Sequence, residues 1–464
     1  MFGGVRGRAG LGAVLGAGVL FAASPATAAD LGGDCCADLE ERVAELEATT
    51  ARKGNRKVSL EVSGHVNQGV LYWDDGWEDN AYVVTNDNSR TRFRFRGKAK
   101  IDKDWEAGYR LEIGVRTSNS KRFTQSDMAT SAPFDLRDSH WYLKNKNLGT
   151  VAVGLQSSAT DGITEINLSQ TRDFAKYSDI EDTGLGLNLR RTDGALATAG
   201  VGSSSYSYYN LIGAHGDQPG DGEKRFNGIR YTTPEFAGFA ASVFWGQDDY
   251  WDASLTYSGE HAGFEIEAGI GYGENTDSSQ TQTACAAYNV SVNGQDTKCN
   301  QFGGSVSVLH KETGLFANFG AGIKRDDLIQ QSALFATRGA DDEQTFWSVQ
   351  GGIEKKWTKL GKTTIYGEYY DYEGGANTRL ISGSFAGTGA ATPAAVVSTG
   401  VQSYGFGVAQ GIEAAAMTVY LSYRHVEGEI EAVTTANGVA ANGPVSNIAL
   451  EDLDLVFGGA IIKF

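Results

Sequence analysis

Arg92, Arg94, Arg96, Lys98 and Lys100 recur at every second position, with Phe93, Phe95, Gly97, Ala99 and Ile101 between them. A period of two puts the cations on one face of a strand and the apolar set on the other. Cations in this pattern form no bonds to a substrate. They attract anions, order water and repel other cations. An Arg near the midplane of a bilayer costs about 2–4 kcal/mol on a lipid-facing strand surface, so five adjacent basic residues must face water. Arg110 and Arg116 lie on the polar face of the next alternating run, beside Glu106 and Glu112. Arg92, Arg94, Arg96, Lys98, Lys100, Arg110 and Arg116 are therefore the expected basic wall of a wet interior.

The counter-charge is expected from segment 157–183, which carries Asp161, Glu165, Asp173, Asp179, Glu181 and Asp182. It follows an alternating run ending at Gln156. Folded inward, it would set its carboxylates across from the arginines, and rings of charge are how pores select ions. A solvated loop surface is the other reading of the same acids.

Other chemistry finds little support. The six histidines are scattered, with no His-Glu-x-x-His for zinc. Gly200-Val-Gly202 and Gly269-Ile-Gly271-Tyr-Gly273 have the composition of phosphate loops. The second lies within an alternating run, and neither precedes a helix. His65 falls in mid-strand on the polar face, as a lining residue rather than a base. No enzyme activity, metal or cofactor is expected. The formal charge of −17 argues against nucleic acid as a partner.

The elements that hold these residues are strands. Val58, Leu60, Val62, Val66 and Val70 share one face, and Ser59, Glu61, Ser63, His65 and Asn67 share the other. Trp105, Ala107, Tyr109, Leu111, Ile113 and Val115 alternate in the same way, and the pattern continues to Val456, Gly458, Ala460, Ile462 and Phe464. Connections alternate between short turns, such as 102–104 and 311–314, and long polar loops, such as 274–300 and 427–449. Short turns at one end and long loops at the other are the signature of a membrane β-barrel. The expected fold is an all-β transmembrane antiparallel barrel of 16–18 strands over residues 58–464. Eighteen is favoured, counting a weak strand near Ala195–Ile212, and the number is even because both ends lie on one side.

The first 28 residues read as an export signal. Arg6 and Arg8 precede an apolar stretch from Ala9 to Ala23, which ends in the small-residue site Ala26-Thr27-Ala28. Segment 29–57 differs in character. Cys36, Leu39, Val43, Leu46 and Thr50 follow the spacing of a coiled-coil seam, which is too short to be stable alone. A frayed amphipathic helix is the plainer reading. Export permits disulfides. Cys285 and Cys299, with 13 residues between them in a polar stretch, are the expected bridge, worth about 3 kcal/mol in the chain-entropy model. Adjacent Cys35 and Cys36 would be strained if bonded to each other.

Together, Val58–Tyr72, Ser89–Lys100, Leu148–Gln156, Arg230–Phe239 and the terminal Phe464 resemble the general porins of Gram-negative bacteria, especially those with a short N-terminal coiled-coil segment. The resemblance implies a homotrimer in outer-membrane lipid and a third outer loop folded into the pore. It also implies a constriction completed by basic residues on the facing wall, here Arg92, Arg94, Arg96 and Arg110. Phe464 is similar to the signal read by the barrel-assembly machinery. The implied function is passive diffusion of small hydrophilic solutes and ions. The rival is a structural or adhesive barrel with a plugged lumen, linked to peptidoglycan through its N-terminal segment.

Overall fold

A computed structural model describes residues 57–127, 134–199, 204–212, 219–222, 225–246, 250–276, 299–327, 342–374, 380–381, 394–436 and 439–464. Residues 1–56 lie outside it, and with them the signal, the seam of Leu39, Val43 and Leu46, and both Cys35 and Cys36. Cys285 lies outside it too. Cys299 is disulfide-bonded.

Sixteen antiparallel strands close into one barrel. They are β1 Glu61–Asp74, β2 Arg92–Lys100, β3 Trp105–Val115, β4 Phe134–Asn145, β5 Gly149–Ser157, β6 Arg225–Thr232, β7 Phe239–Gly246 and β8 Tyr250–His261. The second half is β9 Phe264–Asn275, β10 Cys299–His310, β11 Leu315–Asp326, β12 Glu343–Thr358, β13 Gly361–Gly374, β14 Ala394–Ile412, β15 Met417–Ala436 and β16 Leu453–Lys463. β16 pairs with β1 from His65 against Lys463 to Asp74 against Asp454, which leaves no free edge. Past the end of β16, Phe464 exchanges both backbone hydrogen bonds with Gly64.

The strand count is sixteen, not eighteen. Ala195–Ile212 is not in the ring. It holds two-residue strands, Thr198–Ala199 and Ser204–Ser205, that pair with each other inside the segment between β5 and β6. Its alternation has a different cause: Tyr206 and Tyr208 are buried in a core within the barrel. Outside the ring, Asp79–Thr85 folds back on β1 and Val439–Asn447 on β15.

Short turns keep the strands in register. Between β8 and β9, Ala262 and Gly263 have φ of 50° and 85°. Positive φ at both positions is the two-residue hairpin geometry whose twist matches that of the strands.

The outer face is apolar around the ring. Val62 is 54% exposed and Phe406 61%, values that place them in hydrocarbon rather than in a core. Phe93 and Phe95 belong to this face: Phe95 pairs with Val62 and with outward Leu111, and its ring meets Phe93 at 5.8 Å.

The inner face is polar except along one flank. Leu71 and Trp73 of β1 and Leu455 and Phe457 of β16 point inward and are 0–1% exposed. They pack with Phe174, Leu185, Leu187, Leu189 and Tyr208 from the segment after β5. A lumen that is wet on every side is thus not what forms. One flank of the bore is filled by a small core of its own.

Candidate functional site

The chain between β5 and β6 enters the barrel and follows its inner wall. Asp252 of β8 accepts the backbone N–H groups of Ala159 (2.9 Å) and Thr160 (3.0 Å) and the Thr160 hydroxyl (2.6 Å). Ser305 and Ser307 of β10 accept the N–H groups of Ile166 and Leu168, each at 3.0 Å. Glu354 of β12 takes the N–H of Gln170 at 2.7 Å, and Gln350 donates to the Ala175 carbonyl at 3.0 Å. Arg424 of β15 donates to the carbonyls of Ile180 and Lys176. These barrel side chains replace the partners that a backbone needs when it leaves water. The insert runs well beyond the expected end at residue 183. Leu211 accepts from Thr399, and Asp221 accepts the N–H groups of Gly162 and Thr164, tying the returning chain to the outgoing one.

Across from this insert, β2–β4 carry the basic wall, and its centre is a carboxylate. Glu112 on β3 is 0% exposed. Its Oε1 lies 3.2 Å from Arg92 and accepts from Arg137 Nε at 2.9 Å, and its Oε2 accepts from Arg94 Nε and Arg110, each at 2.7 Å. Arg110 also reaches Asp138 at 3.1 Å. Four guanidiniums around one carboxylate leave positive charge in excess, and the side chains of Arg94 and Arg110 remain 22% and 33% exposed. Arg96 is half-exposed, 3.8 Å from Glu61. Lys98 and Lys100 continue the row and are exposed. Arg116 lies beyond β3 and pairs with Asp135 at 3.2 Å, apart from the Glu112 group.

The expected pairing of loop acids with this row does not form. Asp161 lies 3.6 Å from Arg225 of β6, and Asp173 is held by Lys463 at 2.5 Å. Glu165 and Asp179 share Lys176 at 2.5 and 2.8 Å. Glu181 and Asp182 share Lys121 at 3.2 and 3.1 Å. The reason is desolvation. A carboxylate carried into the packed insert needs a cation at contact distance, and the nearby lysines supply it. The arginines find their counter-charge on their own wall.

Alternation alone does not single out two members of the wall. It puts Glu112 on the polar face but gives no sign that it anchors the arginines. Its register position beside Arg94 is the signal that could have found it. Arg137 is invisible to a period of two because β4 bulges there. Glu112 pairs with Asp138 and Ile113 with Leu136, so Arg137 is the extra residue. A bulge re-aims side chains and breaks the period of two, which turns both Arg137 and Asp138 inward.

Within the insert, burial pushes the Glu181 carboxyl up to about 8 against the pull of Lys121, with Asp179 and Asp182 adding to the rise. One ammonium between two carboxyls does not sustain both charges, and Glu181, the fully buried one, keeps its proton at neutral pH. A folded-state value above the unfolded one means stability present at low pH and lost as pH rises through about 8. Stability against thermal unfolding in detergent is therefore expected to fall from about pH 5 to about pH 8 and to level off above that. Glu181→Gln should flatten that dependence; an unchanged slope in the variant would remove Glu181 as its source.

Among the described residues, no group of three or more His, Cys, Asp or Glu is arranged to hold a metal. A family model described as "Gram-negative porin" matches residues 13–442. No curated protein matches the sequence. Among solved structures, "Anion-selective porin from Comamonas acidovorans" is similar in fold at a TM-score of 0.51 and 15% identity, over 88% of this chain and 100% of that one. "OmpT (in-vitro folded), an outer membrane protein of Vibrio cholerae" aligns at 0.49 and 11%, over 89% of this chain and 99% of that one. "Salmonella typhi OmpF complex with Daunomycin" aligns at 0.46 and 11%, over 88% and 98%.

Proposed function

The chain belongs to the Gram-negative porin family, whose members are passive diffusion channels of the outer membrane and not enzymes, and on that premise we propose that this channel prefers small anions. One observation carries the preference: the four guanidiniums of Arg92, Arg94, Arg110 and Arg137 have two buried carboxylates between them, Glu112 and, through Arg110, Asp138. The loop acids that would offset them are spent on Lys121, Lys176 and Lys463. An anion in the bore therefore meets unbalanced positive charge at short range, with an apolar-cored insert on the other side to focus the field.

The basic wall of Arg92, Arg94, Arg96, Lys98, Lys100 and Arg110 is read as the selective face. Asp161, 3.6 Å from Arg225, supports a contribution of that loop acid to the same face. The channel works as a homotrimer in outer-membrane lipid. Residues 1–28 are removed on export, and segment 29–57 stacks on the periplasmic side, where it contacts peptidoglycan. Phe464 serves as the assembly terminus, in keeping with its exposed ring and its paired backbone at the seam with Gly64.

The apolar packing inside the barrel favours a second reading, a plugged structural barrel. Planar-bilayer recording separates the two. An open lumen gives discrete ohmic steps that scale with salt, and a plugged one gives none.

A further inference from the structure

The run Gly269-Ile-Gly271-Tyr-Gly273 binds no phosphate; it lies in β9. Its first two glycines face the lumen directly beneath the insert. A Cβ added at Gly271 would lie 2.5 Å from Cγ2 of Thr160, and one at Gly269 2.5 Å from Cδ1 of Ile163. The next strands repeat the arrangement. A Cβ at Gly303 of β10 would lie 2.7 Å from Cγ2 of Thr164 and 2.9 Å from Cα of Gly220. On β11, a Cβ at Gly320 would meet the Thr164 carbonyl, and one at Gly322 would run into the carbonyl of Pro219. Five glycines on three adjacent strands thus admit both the outgoing chain, at Thr160–Thr164, and the returning chain, at Pro219–Gly220.

This is a cost as well as a fit. Glycine weakens a strand interior, so its inward use on neighbouring strands marks a close backbone approach. The approach is fixed from both sides: Asp252 and Ser305 hold the outgoing chain to the wall, and Asp221 holds the returning chain to the outgoing one.

We propose that Gly269, Gly271, Gly303, Gly320 and Gly322 are specificity-determining residues for solute size. They seat the insert flush against β9–β11 and so set how far it stands into the bore. The insert is then a fixed inner wall, not a gate. The inference rests on the reading of the lumen as a channel, and the two fail differently, since wild-type steps report the channel and variant steps report the seats.

The test uses full-length protein in planar bilayers. Gly271→Leu with Gly303→Leu fills two seats and pushes the insert toward the arginine wall. In a close-packed site, two such side chains are expected to cut single-channel conductance roughly twofold or more. Swelling of liposomes by the largest permeant neutral sugars should fall with it. Gly351→Leu with Gly367→Leu, on the outward face of β12 and β13, is the control for adding two leucines to the barrel wall. A Cβ at either position finds its nearest atom 3.7 Å away, so conductance should stay at the wild-type value. Seat variants that conduct like the control would overturn the proposal. Should the double leucine variant fail to assemble, Thr164→Cys with Gly303→Cys replaces it. The cross-link is expected to form in folded protein, and the oxidised and reduced forms of this variant are expected to share one conductance and one voltage response. Failure to cross-link, or loss of voltage-dependent closure on cross-linking, would equally overturn it.

Discussion

With Arg94, Arg96 and Arg110 all replaced by alanine, the channel is expected to lose its preference for anions and pass cations at least as readily. The variant removes three guanidiniums and no carboxylate. Glu112 keeps Arg92 and Arg137 on Oε1, so the centre of the wall retains two partners and the barrel closes as before. Asp138 loses Arg110, which leaves His140 at 3.6 Å as its neighbour and makes the wall there less positive. A unit charge 4 Å away is worth about 1 kcal/mol even in bulk water, and about 1.4 kcal/mol is tenfold in partition. Three such charges should lower the anion-to-cation permeability ratio about tenfold or more at low salt, and less at high salt, where screening shortens their reach. Reversal potentials of wild type and variant in the same gradient read the change. An unchanged ratio would remove the arginine wall from the selective path.

Glu112→Gln should have the largest effect on stability of any single substitution in the wall. The amide has nearly the same shape but no charge, and it offers one oxygen where the carboxylate offers two. Arg92, Arg94, Arg110 and Arg137 would then face one another across a site closed to water at its centre. Removing one partner of a buried ion pair costs about 3–5 kcal/mol, and the partial exposure of Arg94 and Arg110 places this case at the lower end. Denaturant unfolding in detergent should show the loss, and adding Arg137→Met should recover part of it by removing one uncompensated cation. A variant as stable as wild type would mean that the arginines are solvated independently of Glu112.

The parts of the fold that follow a period of two were legible in the sequence. The outward rows from Val62 to Val70 and from Val456 to Ile462 line up in the ring as their alternation predicts. So does the basic column of Arg92, Arg94 and Arg96, because lipid tolerates the phenylalanines beside it and not the arginines. What could not be read is what the insert does once inside. Leu71, Trp73 and Leu455 look like ordinary members of alternating strands, and only the core formed by residues 174–212 explains why the inner face there is apolar. That same core gave Tyr206 and Tyr208 the spacing of a strand and inflated the count. Pairing of charges was illegible for a different reason. Asp179, Glu181 and Asp182 are, in sequence, equally free to face Arg94 or Lys121, and only three-dimensional proximity makes the lysines their partners. Arg137 was hidden by a one-residue bulge that shifts its whole neighbourhood by half a period.

The reversal potential of single wild-type channels across a steep KCl gradient puts the greatest strain on this picture of a guanidinium-lined conduit. Ohmic steps with a zero-current voltage displaced toward the chloride equilibrium value are the expected outcome. Displacement toward the potassium value, or a reconstituted barrel that passes no current, would contradict it.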